Sequence, residues 1–251
     1  MTFITGLRRT AIVVAVVLVL AVVAFLFYAN LVMRGDRAAA LEAWTDPGVS
    51  IESTDHSIVI TPTGQRSPAG LVFIPGAKVD PYAYLYKLSG IVEASGATVV
   101  ITKPTLNLAF FDTRPLSLFQ DDAPAVERWF VGGHSLGGVR ACQLAADDSG
   151  DSAVAGLILF GSYCANDLAD SGLTVLSISG SRDGLSTPDK IAGAAGLLPE
   201  FTDFVEIEGL NHAGFGDYGP QPGDGRATLS SVEERDAITD VLLSVLGNAV
   251  R

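Results

Sequence analysis

The sequence predicts an α/β protein with a mostly parallel, doubly wound sheet that is preceded by one transmembrane helix. Two patterns predict this class. Beyond residue 50, short apolar or β-branched runs alternate with helix-like stretches, which is typical of parallel strands joined by crossover helices. Before them lies a single long apolar run, residues 11–33. The strand-like runs are residues 57–61, 70–74, 97–102, 128–132, 154–160, 174–179 and 203–208. The helix-like stretches are residues 81–94, 136–147, 187–196 and 230–246.

The apolar run near the amino terminus has the length of a membrane span. Residues 11–33 contain one amide, Asn30, and no charge, and about 20 apolar residues suffice to cross a hydrocarbon core. A cleaved signal peptide has a shorter apolar region of about 7–15 residues. We therefore predict an uncleaved signal anchor behind a short tail, residues 1–10. The three alanines at 38–40 leave a cleavage site as the alternative.

The charges on the two sides of this run predict its orientation. Arg8, Arg9 and the terminal amine precede it, whereas Arg34 and Arg37 follow it with acidic residues close by. Cytoplasmic flanks of membrane spans carry the excess of Lys and Arg. This favours a cytoplasmic amino terminus, a juxtamembrane helix and linker over residues 34–50, and an extracytoplasmic main domain in a single-pass membrane protein.

Composition limits what the main domain can do. Residues 51–251 are enough to bury a sizeable core in one domain. The formal net charge of −12 repels phosphate backbones and argues against nucleic-acid binding. The two cysteines, Cys142 and Cys164, lack metal-ligand spacing, and we expect them at different heights in the fold, which disfavours a disulfide. No metal or other cofactor is predicted.

The segment from residue 131 to 138 reads Val-Gly-Gly-His-Ser-Leu-Gly-Gly and lies between a strand-like run and a helix-like one. A serine at such a sharp turn is held in a strained backbone conformation. Glycines two positions away on either side, Gly133 and Gly137, are needed because a Cβ there would collide with neighbouring backbone. The first N–H groups of the following helix stabilise negative charge at the same place. Ser135 is therefore a candidate nucleophile.

Only three histidines are available as a base for this serine. His56 lies in a polar stretch before the first core strand, and the side chain of His134 is expected to point away from its neighbour Ser135. His212 follows the strand-like run 203–208, in a loop at the carboxyl end of a strand, where open α/β sheets place their chemistry. Elimination and position both favour His212.

An acid that orients this base is expected between the serine and the histidine. The strand-like run 174–179 leads into a turn that contains Asp183. An Asp-Gly pair is also an ordinary turn former. Asp167 and Asp170, after the preceding strand, are rival acids on an earlier connection.

With these motifs the chain resembles the α/β-hydrolase superfamily over about residues 57–248, and within it the small, lidless, dienelactone-hydrolase-like and esterase-like members. The resemblance implies an α/β-hydrolase fold without a cap domain. It assigns Ser135 as nucleophile, Asp183 as acid and His212 as base. The connection over residues 161–173, where a lid is usually inserted, is too short to hold one.

The resemblance also implies an oxyanion hole made by two backbone N–H groups. One belongs to Leu136, directly after the nucleophile. The other comes from the loop after the first core strand, which here points to Ala77. The usual His-Gly of that loop is replaced by Pro75-Gly76, and the glycine that permits close backbone approach is retained.

Three neighbouring features are candidates for substrate contact. The apolar connection over residues 107–120 lines an acyl pocket or packs on the core. The loop over residues 213–225 offers Phe215 and Tyr218 as substrate contacts, with a structural loop that orients His212 as the alternative. Calcium binding by Asp217 and Asp224 of that loop is a further, disfavoured alternative. Lys78, beside the oxyanion loop, is positioned to attract an anionic substrate.

These features predict a membrane-anchored serine hydrolase whose catalytic domain covers residues 51–251. The predicted reaction is hydrolysis of a small-molecule carboxylic ester through an acyl-enzyme on Ser135. An acyltransferase with the same triad is one alternative. A non-catalytic binding protein on a hydrolase scaffold is the other.

Overall fold

The computed structural model describes residues 2–147 and 154–247, and within them eight strands form one sheet. The strands are β1 (Val49–Ser53), β2 (Ser57–Pro62), β3 (Ala69–Ile74), β4 (Thr98–Thr102), β5 (Arg128–His134), β6 (Gly156–Phe160), β7 (Thr174–Gly180) and β8 (Asp203–Ile207). Their order in the sheet is β1-β2-β4-β3-β5-β6-β7-β8. The first two pairings, β1 with β2 and β2 with β4, are antiparallel, and the others are parallel. The predicted mostly parallel sheet is confirmed, and β1 is an additional edge strand.

Helices cover both faces of this sheet, as a doubly wound fold requires, and the amino-terminal helix α1 (Thr2–Ala29) stands apart from it. The other helices are α2 (Arg37–Thr45), α3 (Leu85–Ser95), α4 (Leu116–Gln120), α5 (Leu136–Ala146), α6 (Pro188–Gly193) and α7 (Ser231–Leu246). Side chains alternate along the central strand β3, so Leu71 and Phe73 join the core beneath α3 and α7. Val72 and Ile74 join the core beneath α4 and α5. All six residues of β3 are buried because both of its faces are covered.

The connection between β6 and β7 corrects the prediction for the cysteines. Cys142 of α5 and Cys164 are joined by a disulfide with Cα atoms 5.5 Å apart, so the expectation that they lie at different heights is wrong. After β6 the chain turns at Gly161, where φ is +48°, and runs back along α5. Asn166 Nδ2 donates to the Cys142 carbonyl oxygen at 3.2 Å. This reversal, which cysteine spacing does not reveal, brings the two cysteines level.

The amino-terminal helix α1 is long and apolar enough from Gly6 to Ala29 to cross a membrane. Its large apolar side chains from Leu7 to Tyr28 are exposed rather than packed on the sheet. The helix ends at Ala29, four residues before the end of the predicted span. Residues 30–36 then run without regular helix, and α2 follows with Asp36 as its N-cap, whose carboxylate accepts from Ala38 N at 2.8 Å.

Candidate active site

The candidate residues converge on one edge of the sheet. The parallel strands β3, β5, β6, β7 and β8 all end there. Ala77, Ser135, Asp183 and His212 each lie within five residues after the end of one of these strands. Four segments that are far apart in the chain therefore present their side chains or N–H groups at a common edge.

Ser135 lies in a strained turn between β5 and α5. Its backbone has φ +52° and ψ −122°, a combination that costs a non-glycine residue about 1–3 kcal/mol and is typical of functional sites. Ser135 N donates to the Phe160 carbonyl oxygen at 3.0 Å, and Ser162 Oγ donates to the Ser135 carbonyl oxygen at 2.7 Å. A Cβ added at Gly137 would collide with the carbonyl oxygen of Ile74, and one added at Gly133 would lie 2.6 Å from the same atom. The turn can form only because these positions are glycine.

The two predicted oxyanion donors are free to bind a ligand. Gly76 N donates to Tyr84 Oη at 3.0 Å, and Lys78 N donates to the Asn107 carbonyl oxygen at 2.7 Å. The N–H of Ala77, between them, donates to no residue in the ranges 2–147 and 154–247. The same holds for the N–H of Leu136, the first residue of α5. Two unoccupied N–H groups at this edge are what an oxyanion hole requires.

Asp183 and His212 form a buried pair. His212 Nδ1 lies 2.7 Å from Asp183 Oδ2, and the two side chains are 1% and 0% exposed. The other carboxylate oxygen, Oδ1, accepts from the backbone N–H groups of Leu185 at 2.8 Å and Ser186 at 2.7 Å. The turn thus fixes one carboxylate oxygen of Asp183 and leaves the other for the imidazole of His212. Because a carboxylate only accepts hydrogen bonds, the imidazole proton lies on Nδ1 and the lone pair on Nε2.

The rival acids Asp167 and Asp170 do not contact His212. Asp167 and Asp170 are exposed, and Asp167 Oδ1 accepts from the N–H of Ala169, two residues on.

Ser135 is partly exposed, and its hydroxyl has no hydrogen-bond partner among the described residues. Such contacts commonly tighten only when substrate is bound.

Asp224 joins the loops that carry the candidate base and the candidate acid, a role that sequence reasoning missed. Its carboxylate oxygen Oδ1 accepts from His212 N at 3.1 Å and from Gly184 N, next to Asp183, at 3.1 Å. The other oxygen, Oδ2, accepts from Ala213 N at 2.9 Å. One side chain therefore sets the spacing between the turn that carries Asp183 and the loop that carries His212. The glycine- and proline-rich composition of this loop pointed to a structural role, but no local pattern identified Asp224.

Replacing Asp224 by alanine is expected to lower kcat/KM for ester hydrolysis by about 10- to 100-fold, because the His212 loop loses its tie to the Asp183 turn and positioning errors of this kind carry such penalties. Purified variants are compared by steady-state kinetics and thermal melting. Asp167→Ala, which removes an exposed carboxylate with one backbone partner, serves as the matched control and should retain wild-type rates. Equal losses in the two variants would contradict the role given to Asp224.

The carboxylates considered for calcium have protein partners instead. Asp217 Oδ1 lies 2.9 Å from Lys87 Nζ, and the same ammonium lies 2.9 Å from Glu234 Oε2. Lys87 is fully buried. This ion cluster fastens the loop after His212 to α3 and α7, so the loop is held from both of its ends.

His134 is buried beside the candidate base. Its Nδ1 lies 2.9 Å from Tyr84 Oη, which accepts from Gly76 N, so the phenol donates its own proton to the imidazole. The centroids of the His134 and His212 rings are 4.4 Å apart. Burial, and to a lesser degree His212, lowers the pKa of His134 well below the usual value for histidine. His134 is therefore neutral and, through Tyr84, braces the loop that carries Ala77.

Acidification is expected to destabilise the fold through His134. The unfolded chain binds a proton at this residue below a pKa of about 6.5, whereas the folded chain does not, so the free energy of unfolding falls as the pH drops below that value. Between pH 7 and pH 5, the wild type should lose about 1–2 kcal/mol more than His134→Asn, whose side-chain oxygen can still accept from Tyr84. Denaturant titrations of both proteins at the two pH values measure the difference. An identical loss in both would assign the effect to other groups.

The three candidates for substrate contact lie in different surroundings. Phe215 is fully buried against the rings of His134 and Phe160, and Tyr218 is 9% exposed with its hydroxyl 3.0 Å from Gln221 Oε1. The ammonium of Lys78 lies over an aromatic ring of α1. The connection over residues 107–120 divides into a buried part, with Leu116 and Phe119 in the core, and an exposed part, with Phe110 and Phe111.

Comparison with known proteins identifies the family and the fold of this chain. A family model described as "Alpha/beta hydrolase family" matches residues 70–236. An esterase from Pyrobaculum calidifontis is 18% identical and superposes with a TM-score of 0.60, covering 90% of this chain and 92% of its own. A carboxylesterase cloned from a metagenomic library is 14% identical, with a TM-score of 0.60 and coverage of 85% and 94%. An esterase from the fungus Rhizomucor miehei is 15% identical, with a TM-score of 0.56 and coverage of 85% and 88%. These structures share the fold with this chain, and no curated protein sequence matches it.

Proposed function

Because the chain belongs to the alpha/beta hydrolase family, we propose that it is a membrane-anchored serine hydrolase that cleaves carboxylic esters through an acyl-enzyme on Ser135. The observation that carries the proposal is the buried Asp183–His212 pair, 2.7 Å apart, at the sheet edge where Ser135 lies in its strained turn. The free N–H groups of Leu136 and Ala77 at the same edge support it.

The proposed reaction has two steps. His212 Nε2 takes the hydroxyl proton of Ser135 as Oγ bonds to the ester carbonyl carbon, and the carbonyl oxygen becomes an oxyanion held by the two N–H groups. The carbon–oxygen bond to the alcohol then breaks, and the alcohol leaves with the proton from His212. Water attacks the acyl-enzyme in the same manner, releasing the acid and restoring the serine. Asp183 stabilises the imidazolium that forms in each step.

Water access favours hydrolysis over acyl transfer. The connection over residues 161–173 holds no helix or strand that could cover the serine, and Ser135 itself is partly exposed. An acyltransferase must keep water from its acyl-enzyme, whereas an open site admits it.

The function is tested on the full-length protein in detergent with esters of graded acyl length and a serine-directed fluorophosphonate. The wild type should release acid from at least one ester and become labelled, and Ser135→Ala should do neither. Labelling without acid release, but with a new ester when an alcohol is added, would establish the acyltransferase instead. A wild type that neither labels nor turns over would indicate the binding protein.

Membrane attachment through α1 is supported by how the helix ends. Its apolar side chains are exposed, and an apolar surface of this size is typical of a membrane interaction site. Ala29 is fully buried against the domain, so the helix end is integrated with the fold. The alternative cleavage site at 38–40 lies within α2, whose helical backbone does not suit a processing protease. The Cys142–Cys164 disulfide supports an oxidising, extracytoplasmic location.

Isolation of the chain from native membranes tests this placement. Peptide mass mapping without reductant should recover α1 in the mature protein and a linked Cys142–Cys164 peptide pair. Mature protein that begins near residue 38 would establish a cleaved signal instead. Free thiols at both cysteines would place the domain on the reducing side.

A further inference from the structure

The segment that follows the anchor is bound to the loop of the proposed oxyanion hole. Within residues 30–36, Met33 N donates to the Lys78 carbonyl oxygen at 2.7 Å, and Asp80 N donates to the Met33 carbonyl oxygen at 2.9 Å. Lys78 directly follows Ala77. The anchor is therefore attached at the edge of the sheet that carries the proposed catalytic groups.

The same segment then reaches the loop of the proposed base. Asp36 N donates to the Asp217 carbonyl oxygen at 2.5 Å, five residues after His212. Residues 30–36 thus cross from one loop of the site to another. Both loops are therefore fixed close to the end of the anchor.

The last turn of α1 also touches this edge. The ammonium of Lys78 lies 3.6 Å from the centroid of the Tyr28 ring, and the rings of Phe25 and Phe111 meet edge to face with centroids 5.6 Å apart. A span of 24 residues is about 36 Å long at 1.5 Å per residue, longer than a hydrocarbon core of about 30 Å. A span centred in the bilayer brings its last turn to the boundary between hydrocarbon and headgroups, where Lys78 of the proposed oxyanion loop contacts Tyr28.

The backbone is strained where the end of α1 meets the domain, which indicates that the surrounding contacts hold this junction in one conformation. Lys78, Leu106 and Asn107 have φ values of +59°, +57° and +55°, which non-glycine residues adopt only where the surroundings enforce them. Their loops are joined to each other by the hydrogen bond from Lys78 N to the Asn107 carbonyl oxygen. Asn107 Nδ2 also donates to the Ala29 carbonyl oxygen at 3.4 Å.

Apolar side chains stand exposed beside the anchor on this edge. Phe110 and Phe111 are 52% and 50% exposed, and Phe111 touches α1. Leu116 and Phe119 of the same connection are buried in the core, as is Phe215. A long acyl chain therefore has the exposed Phe110 and Phe111, and the adjacent bilayer, as its apolar surroundings.

From these contacts we propose that the catalytic edge faces the bilayer and that Ser135 acts on acyl esters of membrane-resident amphiphiles, whose acyl chains stay in lipid while the carbonyl enters the site. The inference rests on the proposed ester hydrolysis and names its substrate class. Phe110 and Phe111 lie in the headgroup region beside the anchor, and residues 30–36 hold the site at that height.

Tryptophan fluorescence tests the orientation of the site. The full-length protein is reconstituted in bilayers with brominated acyl chains, and the wild-type signal of Trp44 and Trp129 is subtracted. The fluorescence added by Phe111→Trp should fall by about half or more, because a ring at the acyl boundary is within contact of the quencher. Phe201→Trp is the matched control, since Phe201 is 90% exposed and lies just before β8, at the opposite edge. It should not be quenched, and equal or stronger quenching at 201 would overturn the orientation.

Kinetics in the same bilayers test the substrate class. Hydrolysis of a long-chain acyl ester of 4-methylumbelliferone dissolved in the bilayer is compared with hydrolysis of its water-soluble butyrate. The rate on the long-chain ester divided by the rate on the butyrate should fall about tenfold in the double variant Phe110→Ser/Phe111→Ser, because apolar contact with lipid is lost. The same ratio should stay unchanged in Phe201→Ser.

The outcomes separate the two proposals. A wild type that cleaves the butyrate but not the bilayer ester would overturn the inference and leave the ester hydrolase in place. A double variant whose ratio equals that of the wild type would likewise overturn it. A wild type inactive on both esters and unlabelled by fluorophosphonate would overturn the proposed function, and the inference with it.

Discussion

Replacing Ser135 by alanine is expected to lower kcat/KM for ester hydrolysis by about five to six orders of magnitude, the loss found when the nucleophile of a serine triad is removed. The strained turn places this side chain at the same sheet edge as the free N–H groups of Leu136 and Ala77. The fold should persist, since Ser135 Oγ makes no hydrogen bond with the described residues. The remaining rate reflects only binding and the oxyanion donors.

The measurement compares initial rates with fluorophosphonate labelling and thermal melting of the same preparations. Ser171→Ala removes the side chain of an exposed serine on the connection between β6 and β7, and it should leave rate and labelling at wild-type levels. A Ser135→Ala protein that keeps more than about a tenth of the wild-type rate would show that another group forms the acyl-enzyme.

Local requirements explain why the turn at Ser135 could be predicted from sequence. The collisions that a Cβ would make at Gly133 and Gly137 involve backbone atoms. They recur wherever a strand turns so sharply into a helix, so a pattern of five residues is enough to predict the turn. His212 was predicted by elimination and by its place after a strand, and Asp183 by its place after a strand and by the family resemblance. The mostly parallel sheet could also be predicted, because strand-like and helix-like runs alternate along the sequence.

Other features depend on tertiary contacts that no local pattern records. Asp224 accepts from the N–H groups of Gly184 and His212, and the first of these lies 40 residues away in sequence. The disulfide depends on a chain reversal at Gly161. Residues 30–33 were assigned to the membrane span and residues 34–36 to the juxtamembrane linker, although the backbone hydrogen bonds of this segment join two loops of the site. In each case the two partners are far apart in the sequence, so no local pattern identifies the contact.

The acid of the proposed triad is expected to matter nearly as much as the nucleophile. Asp183→Asn should lower kcat by about 10⁴-fold, and the hydrogen bonds of the turn explain why. Oδ1 accepts from the N–H groups of Leu185 and Ser186, so the amide oxygen of an asparagine must stay there. Its NH₂ group then faces His212 Nδ1 and donates to it, which forces the imidazole proton onto Nε2. In that tautomer His212 cannot accept the proton of Ser135.

The substitution separates tautomer control from folding. Because the asparagine keeps both turn hydrogen bonds and the same shape, the melting temperature should fall little while kcat collapses, and fluorophosphonate labelling should slow in parallel with turnover. Asp167→Asn, on the exposed rival acid, is the matched control and should behave as wild type. If the two variants exchanged these behaviours, the base would be oriented by the earlier connection, and the 2.7 Å contact between Asp183 and His212 would be structural only.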